Sequence, residues 1–358
     1  MSIDFHKLRV AEVKRETPDA VSVRLELPEH LREAFAFRAG QHLTFRREIG
    51  GEEVRRNYSL CVSPSEGMLK IGVKQIAGGV FSSWVNTALK AGDEIEVMAP
   101  HGSFCWSFDA GARNEYVAFA GGSGITPILS LIKTALAIEP NSRFTLFYGN
   151  RNSMGVMFLE EIAGLKDRYL DRLSVYHFLE EEEEEIALFN GRLDRTKADE
   201  ILSSLVRVDN VNAFFICGPG PMMDAIEEAL LARKVEKPRI LIERFTTGPM
   251  SAAQAAAARE LEEKAAGLKM NVTLNGRRVQ VAFDPDKHSI LDNVRAAGLP
   301  APFACKGGVC ATCRAKVTAG EVQMKVNYGL SEQELADGFV LTCQAMPVTE
   351  GVALTYDV

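Results

Sequence analysis

The sequence predicts a multidomain chain: an antiparallel β-barrel, then an α/β domain with a parallel sheet, then a small α+β domain. Three observations predict it. Short β-rich runs broken by turn residues fill positions 1–109, strand and helix patterns alternate over 110–248, and a hairpin signal, one helix and four clustered cysteines occupy 268–358. Positions 249–267, alanine-rich with Arg259, Glu260, Glu262, Glu263 and Lys264, read as a partly helical linker without a hydrophobic face of its own.

In the first block, runs 7–14 and 21–27 are separated by Thr17-Pro18-Asp19, and runs 41–47 and 53–60 flank Gly50-Gly51, a hairpin signal. Runs 68–75 and 94–98 continue the pattern, and short strands at this spacing suggest a closed barrel. One helix is expected at 81–89, after Gly79. The second block carries strand patterns at 116–120, 143–149, 173–179, 213–217 and 239–245. Helical patterns at 125–137, 156–165, 196–206 and 221–232 lie between them, which places helices on both faces of a parallel sheet. The acidic run from Glu180 to Glu185 reads as a solvated surface loop. In the last block, 270–274, Asn275-Gly276 and 277–283 form a hairpin, and a helix over 290–297 ends at Gly298.

The 358 residues include 41 Lys+Arg and 48 Asp+Glu, a formal net charge of -7, so no nucleic-acid partner is expected. The N-terminus lacks the apolar stretch of a signal peptide, and the most apolar region, 116–132, is interrupted by Gly121, Gly122, Ser123, Gly124 and Pro127, so no membrane association is expected. Seven cysteines, four of them clustered, point to a metal site in a reducing compartment, the cytoplasm, rather than to a disulfide framework.

Cys305, Cys310, Cys313 and Cys343 follow the C-x4-C-x2-C…C spacing of a [2Fe–2S] site. Two irons need two thiolates each, so a short loop must wrap them closely; Gly307, Gly308 and Ala311 leave room for that and for backbone N–H groups aimed at sulfur. The alternative, structural zinc, normally uses two close cysteine pairs, whereas only Cys310 and Cys313 form one here. Cys61, Cys105 and Cys217 read as buried residues without ligand spacing.

Arg56-Asn57-Tyr58-Ser59 ends an expected strand. Its arginine can fork onto a pyrophosphate, its tyrosine can lie on a flavin ring and its serine can bond the flavin edge. Gly78-Gly79-Val80-Phe81-Ser82 opens a helix that Ser82 could cap, a ready anion site for the same pyrophosphate. Gly121-Gly122-Ser123-Gly124 and Cys217-Gly218-Pro219, the latter followed by Met222, each join a strand to a helix, which marks that sheet edge as a nucleotide crevice. Arg151 and Ser153, after another strand, suit the 2′-phosphate of NADPH.

Together these motifs resemble the ferredoxin–NADP reductase superfamily over 1–248 and a plant-type ferredoxin domain over 268–358. The resemblance implies a six-stranded FAD-binding barrel, an NADP-binding α/β domain and a β-grasp ferredoxin domain. It implies FAD at Arg56, Asn57, Tyr58, Ser59, Val73, Gly79, Val80, Phe81, Ser82 and Thr126. It places NADPH at Gly121, Gly122, Ser123, Gly124, Arg151, Ser153, Cys217, Gly218, Pro219 and Met222, and the cluster on the four C-terminal cysteines. Cys217 would neighbour the nicotinamide, Thr126 the flavin–nicotinamide contact, and Phe245 would cover the flavin. No side-chain acid or base is assigned, since hydride transfer needs none.

The order of domains is that of oxygenase reductases, so oxygenase subunits are the expected electron acceptor. The run from Phe303 to Val317 and Leu341-Thr342-Cys343-Gln344 are most similar to reductases of ring-epoxidising phenylacetyl-CoA monooxygenases. Reductases of Rieske and other di-iron oxygenases, or of a different soluble metalloprotein, share such motifs. Lys306, Arg314 and Lys316, in or beside the cysteine loop, are either docking charges for an acidic acceptor or ordinary solvated charges.

Overall fold

The structure is a computed structural model that describes residues 4–183, 185–245 and 252–357. It divides into two compact units, Met1–Glu243 and Arg244–Val358.

The first unit begins with β1 (Phe5–Thr17), β2 (Ala20–Leu25), β3 (His42–Ile49), β4 (Glu52–Ser59), β5 (Leu69–Lys74) and β6 (Glu94–His101), with α1 (Val80–Thr87) after β5. The strands form one antiparallel sheet in the order β4-β3-β6-β1-β2-β5, and an isolated bridge between Leu60 and Ile71 links its two ends. Gly50 and Gly51 adopt φ values of 64° and 83° between paired Ile49 and Glu52, the left-handed geometry of a tight hairpin turn. Inward side chains, among them Leu8, Val10, Val23, Leu43, Phe45, Ile71 and Val97, build the barrel core.

The same unit continues with β7 (Glu115–Gly121), α2 (Ile125–Ile138), β8 (Arg143–Asn150), α3 (Leu159–Arg168), β9 (Leu173–Leu179), α4 (Arg195–Ser204), β10 (Val211–Cys217), α5 (Gly220–Ala232) and β11 (Ile240–Glu243). The sheet is parallel, in the order β11-β10-β7-β8-β9. Alternate residues of β7 serve opposite faces. Tyr116, Ala118 and Ala120 join the core that contains Ile128 and Leu129 of α2, while Val117 and Phe119 join the one with Ile201 of α4 and Ile226 of α5. The helix expected at 156–165 starts later: Val156, Met157 and Phe158 are buried, and Phe158 takes a left-handed φ of 59° before α3 begins.

The second unit carries α6 (Ala252–Ala265), β12 (Lys269–Leu274), β13 (Arg277–Ala282), α7 (Ile290–Ala296), β14 (Arg314–Ala319), β15 (Val322–Met324), α8 (Glu332–Ala336), β16 (Phe339–Leu341), β17 (Ala345–Pro347) and β18 (Val352–Thr355). Its main sheet runs β13-β12-β18-β14-β16, with β12 and β18 parallel inside otherwise antiparallel neighbours.

Here the linker expectation is corrected. Positions 249–251 lie outside the described residues, but α6 does have an inner face: Ala258 and Ala265 are buried, and Leu261 packs on the core of this unit. Glu262 of α6 reaches Lys325 and, at 3.1 Å, His288. Small alanines hide such a face from a pattern search that looks for large apolar residues. Among the described residues no helix is long and apolar enough to cross a membrane.

Candidate functional site

The four clustered cysteines converge as two pairs. Cys305 hydrogen-bonds Cys310, which raises the thiol of Cys305 and lowers that of Cys310; Cys313 and Cys343 repeat the arrangement, with Cys313 raised and Cys343 lowered. Among the described residues no three His, Cys, Asp or Glu side chains are gathered around a single-ion position. Two thiol pairs suit a donor set of two thiolates for each of two irons.

The connecting loop is tightly wound. Lys306, Gly308 and Ala311 all have left-handed φ, at 52°, 76° and 53°, which turns the backbone around the sulfurs. The Gly307 N–H donates to Cys305 Sγ at 3.2 Å, and backbone groups of Gly308 and Thr312 reach Cys343 and Cys310. Gln344 Nε2 holds the Lys306 carbonyl at 2.8 Å and lies 3.8 Å from Cys343 Sγ. Lys306 pairs with Asp292 at 2.7 Å and Arg314 pairs with Glu334, so both charges are partnered within the unit. Lys316 stands over the Phe339 ring.

In the barrel, β4 presents the Arg56–Ser59 motif. Arg56 is exposed and donates to its neighbour's carbonyl, Arg55, at 2.7 Å. Tyr58 packs between Phe45 and Phe81, with both ring centroids 5.8 Å away. Ser59 is 2% exposed and its Oγ has no hydrogen-bond partner, an orphaned polar atom that suits a flavin edge. Val73 and Phe81 are fully buried in the barrel core. Gly79 caps α1 without a side-chain bond. Ser82 does not cap this helix: its Oγ accepts from Ile76 N–H at 3.2 Å and donates to the Gly79 carbonyl, tying the preceding turn. The amides of Val80 and Phe81 thus open a helix without a side-chain cap, which suits an anion.

The two glycine loops leave the carboxyl ends of β7 and β10, the adjacent strands at which the sheet order reverses, where a nucleotide crevice is expected. A Cβ on Gly124 would lie 2.0 Å from the Cys217 carbonyl oxygen, one on Gly121 2.6 Å from Pro219, and one on Gly218 3.0 Å from the Gly121 amide nitrogen. These glycines therefore let the two loops pack on each other. Gly122 alone of the first loop's glycines faces open space. Neither α2 nor α5 has a side-chain N-cap, in contrast to the Asp194 cap of α4.

Thr126 is buried behind the first loop. Its Oγ1 donates to the Ser123 carbonyl at 3.0 Å, and its methyl packs on Gly72, beside Val73. Cys217 is fully buried; burial and then Glu243 push its thiol upward. Arg151 and Ser153 are exposed at the end of β8, but Ser153 is engaged: its N–H and Oγ both donate to Glu182 Oε1, at 2.7 and 3.0 Å. The acidic run is thus partly tethered to the turn after β8, with Glu184 outside the described residues. Phe245 is 37% exposed and falls in the second unit.

A buried polar network escaped the sequence reading. His42 lies opposite Ser59 on β3, edge-on to His101 with centroids 4.2 Å apart. Its Nε2 lies 3.3 Å from Asn57 Nδ2, and Asn57 Oδ1 accepts from Thr44 at 2.8 Å. Thr44 Oγ1 is also 3.3 Å from His101 Nε2. Burial, then His42, pushes His101 down to about 3. The only local signal was two histidines in strands that otherwise read as barrel wall.

Comparisons with known proteins agree with this geometry. Three family models match: an oxidoreductase FAD-binding domain over residues 7–106, an oxidoreductase NAD-binding domain over 119–228, and a 2Fe-2S iron-sulfur cluster binding domain over 272–348. The chain is 42% identical over 353 residues to one of the subunits of 1,2-phenylacetyl-CoA epoxidase from Escherichia coli, covering 99% of this chain and 98% of that protein. It is 36% identical over 361 residues to the ferredoxin reductase component of 3-ketosteroid-9-alpha-monooxygenase from Mycobacterium tuberculosis, covering 98% and 96%. The solved structure of phthalate dioxygenase reductase shares the fold, with TM-score 0.61 and 21% identity over 98% of each chain.

Proposed function

Because this chain belongs to the ferredoxin–NADP reductase superfamily, in the branch with a C-terminal [2Fe–2S] ferredoxin domain, we propose that it is the reductase component of an oxygenase. It is an NAD(P)H-dependent flavin and iron–sulfur oxidoreductase that passes electrons from NAD(P)H by way of FAD and [2Fe–2S] to partner oxygenase subunits. The acceptor we assign is a phenylacetyl-CoA epoxidase, in aerobic phenylacetate breakdown; end-to-end identity of 42% to a component of such an epoxidase carries this assignment. The 36% identity to a ketosteroid monooxygenase reductase favours a second reading, service to a different oxygenase.

Bound FAD supplies acceptance of a hydride and release of single electrons, and a bound [2Fe–2S] cluster supplies one-electron relay. The chain's own residues hold and orient. Arg56, Asn57, Tyr58, Ser59, Val73, Gly79, Val80, Phe81 and Ser82 would hold FAD, with Thr126 supporting from behind the adjoining loop. Gly121, Gly122, Ser123, Gly124, Cys217, Gly218, Pro219 and Met222 would hold the nicotinamide nucleotide, whose 2′ side falls by Arg151 and Ser153. Cys305, Cys310, Cys313 and Cys343 would ligate the irons. Seven free thiols and a nicotinamide donor support a cytoplasmic setting.

The test is anaerobic titration of purified protein with NADPH or NADH, alongside iron and flavin analysis, then addition of the purified oxygenase subunits of a phenylacetyl-CoA epoxidase. Expected are two irons, one FAD, stepwise bleaching and electron delivery. A colourless or zinc-loaded protein ends the reductase reading. Full bleaching without delivery to the epoxidase, but with delivery to another oxygenase, selects the second one.

A further inference from the structure

The carboxyl ends of β8 and β9 lie side by side, with Asn150 paired to Leu179. Beyond them the two chains stay zipped: Glu180 N–H donates to the Asn150 carbonyl at 3.1 Å and Glu181 N–H to the Arg151 carbonyl at 2.8 Å. Side chains extend the seam. Asn152 Nδ2 donates to Glu181 at 2.9 Å, and Arg192 anchors Glu180 at 2.8 Å. This seam delivers the Glu182 carboxylate onto Ser153, where an amide and a hydroxyl converge on the single oxygen Oε1.

Two donors converging on one anionic oxygen form half of a phosphate-binding set, and here a carboxylate fills it. A nucleotide 2′-phosphate and Glu182 cannot both occupy these donors, since like charges at contact distance oppose each other. A nucleotide with a free 2′-hydroxyl carries no such conflict. We propose that Glu182 is a specificity-determining residue that competes with the 2′-phosphate of NADPH for Ser153 and so sets the balance between NADPH and NADH. This rests on the reading above that the 2′ side of the nucleotide falls by Arg151 and Ser153. Glu182 makes the acidic loop a part of coenzyme selection rather than a solvated run.

The test measures binding without turnover. Isothermal titration calorimetry of the holoprotein with adenosine 2′,5′-bisphosphate and with 5′-AMP is run on the native chain, Glu182→Gln, Glu182→Ala and Arg151→Ala. Both Glu182 variants are expected to tighten the bisphosphate about tenfold, the scale of one relieved charge conflict, and to leave 5′-AMP within about twofold. The ratio of kcat/KM for NADPH over NADH should rise in parallel. If Arg151→Ala weakens the bisphosphate while the Glu182 variants bind it like the native chain, the competition is refuted and the site reading stands. If the native chain and Arg151→Ala bind both nucleotides alike, the site reading fails first and the competition falls with it.

Discussion

His42 Nδ1 lies 3.6 Å from Glu243 Oε1, and this contact joins the barrel to the parallel sheet. Each partner sits opposite a residue of the proposed site: His42 faces Ser59 across β3 and β4, and Glu243 faces Cys217 across β11 and β10. The end of β4 and the end of β10 are thus bridged by one imidazole, which also meets Asn57 and lies edge-on to His101.

His101 gives a pH dependence with a definite sign. Its folded value is pushed down to about 3 from an ordinary 6.5, by burial first and by His42 second. Between those values the unfolded chain binds the extra proton, so this contribution is complete above pH 6.5 and is lost as pH falls towards 3. The loss is at most about 1.4 kcal/mol per pH unit. Urea midpoints of the native chain should fall from pH 7 to pH 5 more steeply than those of His101→Asn; equal slopes would contradict the assignment.

Gly124→Ala places a methyl 2.0 Å from the Cys217 carbonyl oxygen, where only backbone can yield. Parting the two loops is expected to cost about 1–3 kcal/mol and to weaken nucleotide binding. Gly122→Ala meets no atom within 4 Å but strains a φ of 52°, so it should be the milder change. Thermal unfolding and 5′-AMP titration of both variants check the order.

Cys310→Ser replaces one sulfur of the Cys305–Cys310 pair with a hydroxyl, which is not deprotonated at neutral pH. Iron content should collapse and delivery to a one-electron acceptor fall by at least about 100-fold. Flavin content and its bleaching by NAD(P)H should survive, because the flavin and nucleotide motifs lie in the other compact unit. Loss of flavin bleaching together with iron would sink the modular account.

Glu262→Ala removes the carboxylate partner of Lys325, whose side chain is only 11% exposed. With only the His288 carbonyl, at 2.8 Å, left to accept from it, the lost carboxylate is expected to cost the second unit about 1–3 kcal/mol. Replacing both residues with methionine should recover much of the loss. Chemical unfolding followed by the visible absorbance of the cluster measures each; a silent Glu262→Ala would mean that α6 is the loose linker its composition suggests.

The three-block architecture was legible because period-two runs, strand–helix alternation and turn dipeptides are local signals. The turns at Gly50-Gly51 and Asn275-Gly276 fall where their residues demand, both with left-handed φ. The spacing of Cys305, Cys310 and Cys313 was legible for the same reason, since side chains on one tight loop must be close in sequence; Cys343 comes from after β16. Alanine spacing on α6 was not, since small residues carry little hydrophobic contrast. Nor was the start of α3, which Phe158 delays by packing on Gly72 of the barrel.

Residue order alone determined which chemistry this chain can attempt: three thiols on a loop with a fourth far along the chain, two glycine turns after strands, an arginine–tyrosine–serine strand end. Folding decided how those parts are used. It turned Gly121, Gly124 and Gly218 from open cradles into loop-to-loop contacts, seated Glu182 on Ser153, and set Glu243 against His42. Spacing along the chain reports only neighbours within a few residues, whereas these contacts depend on strand order and on the burial that follows from it.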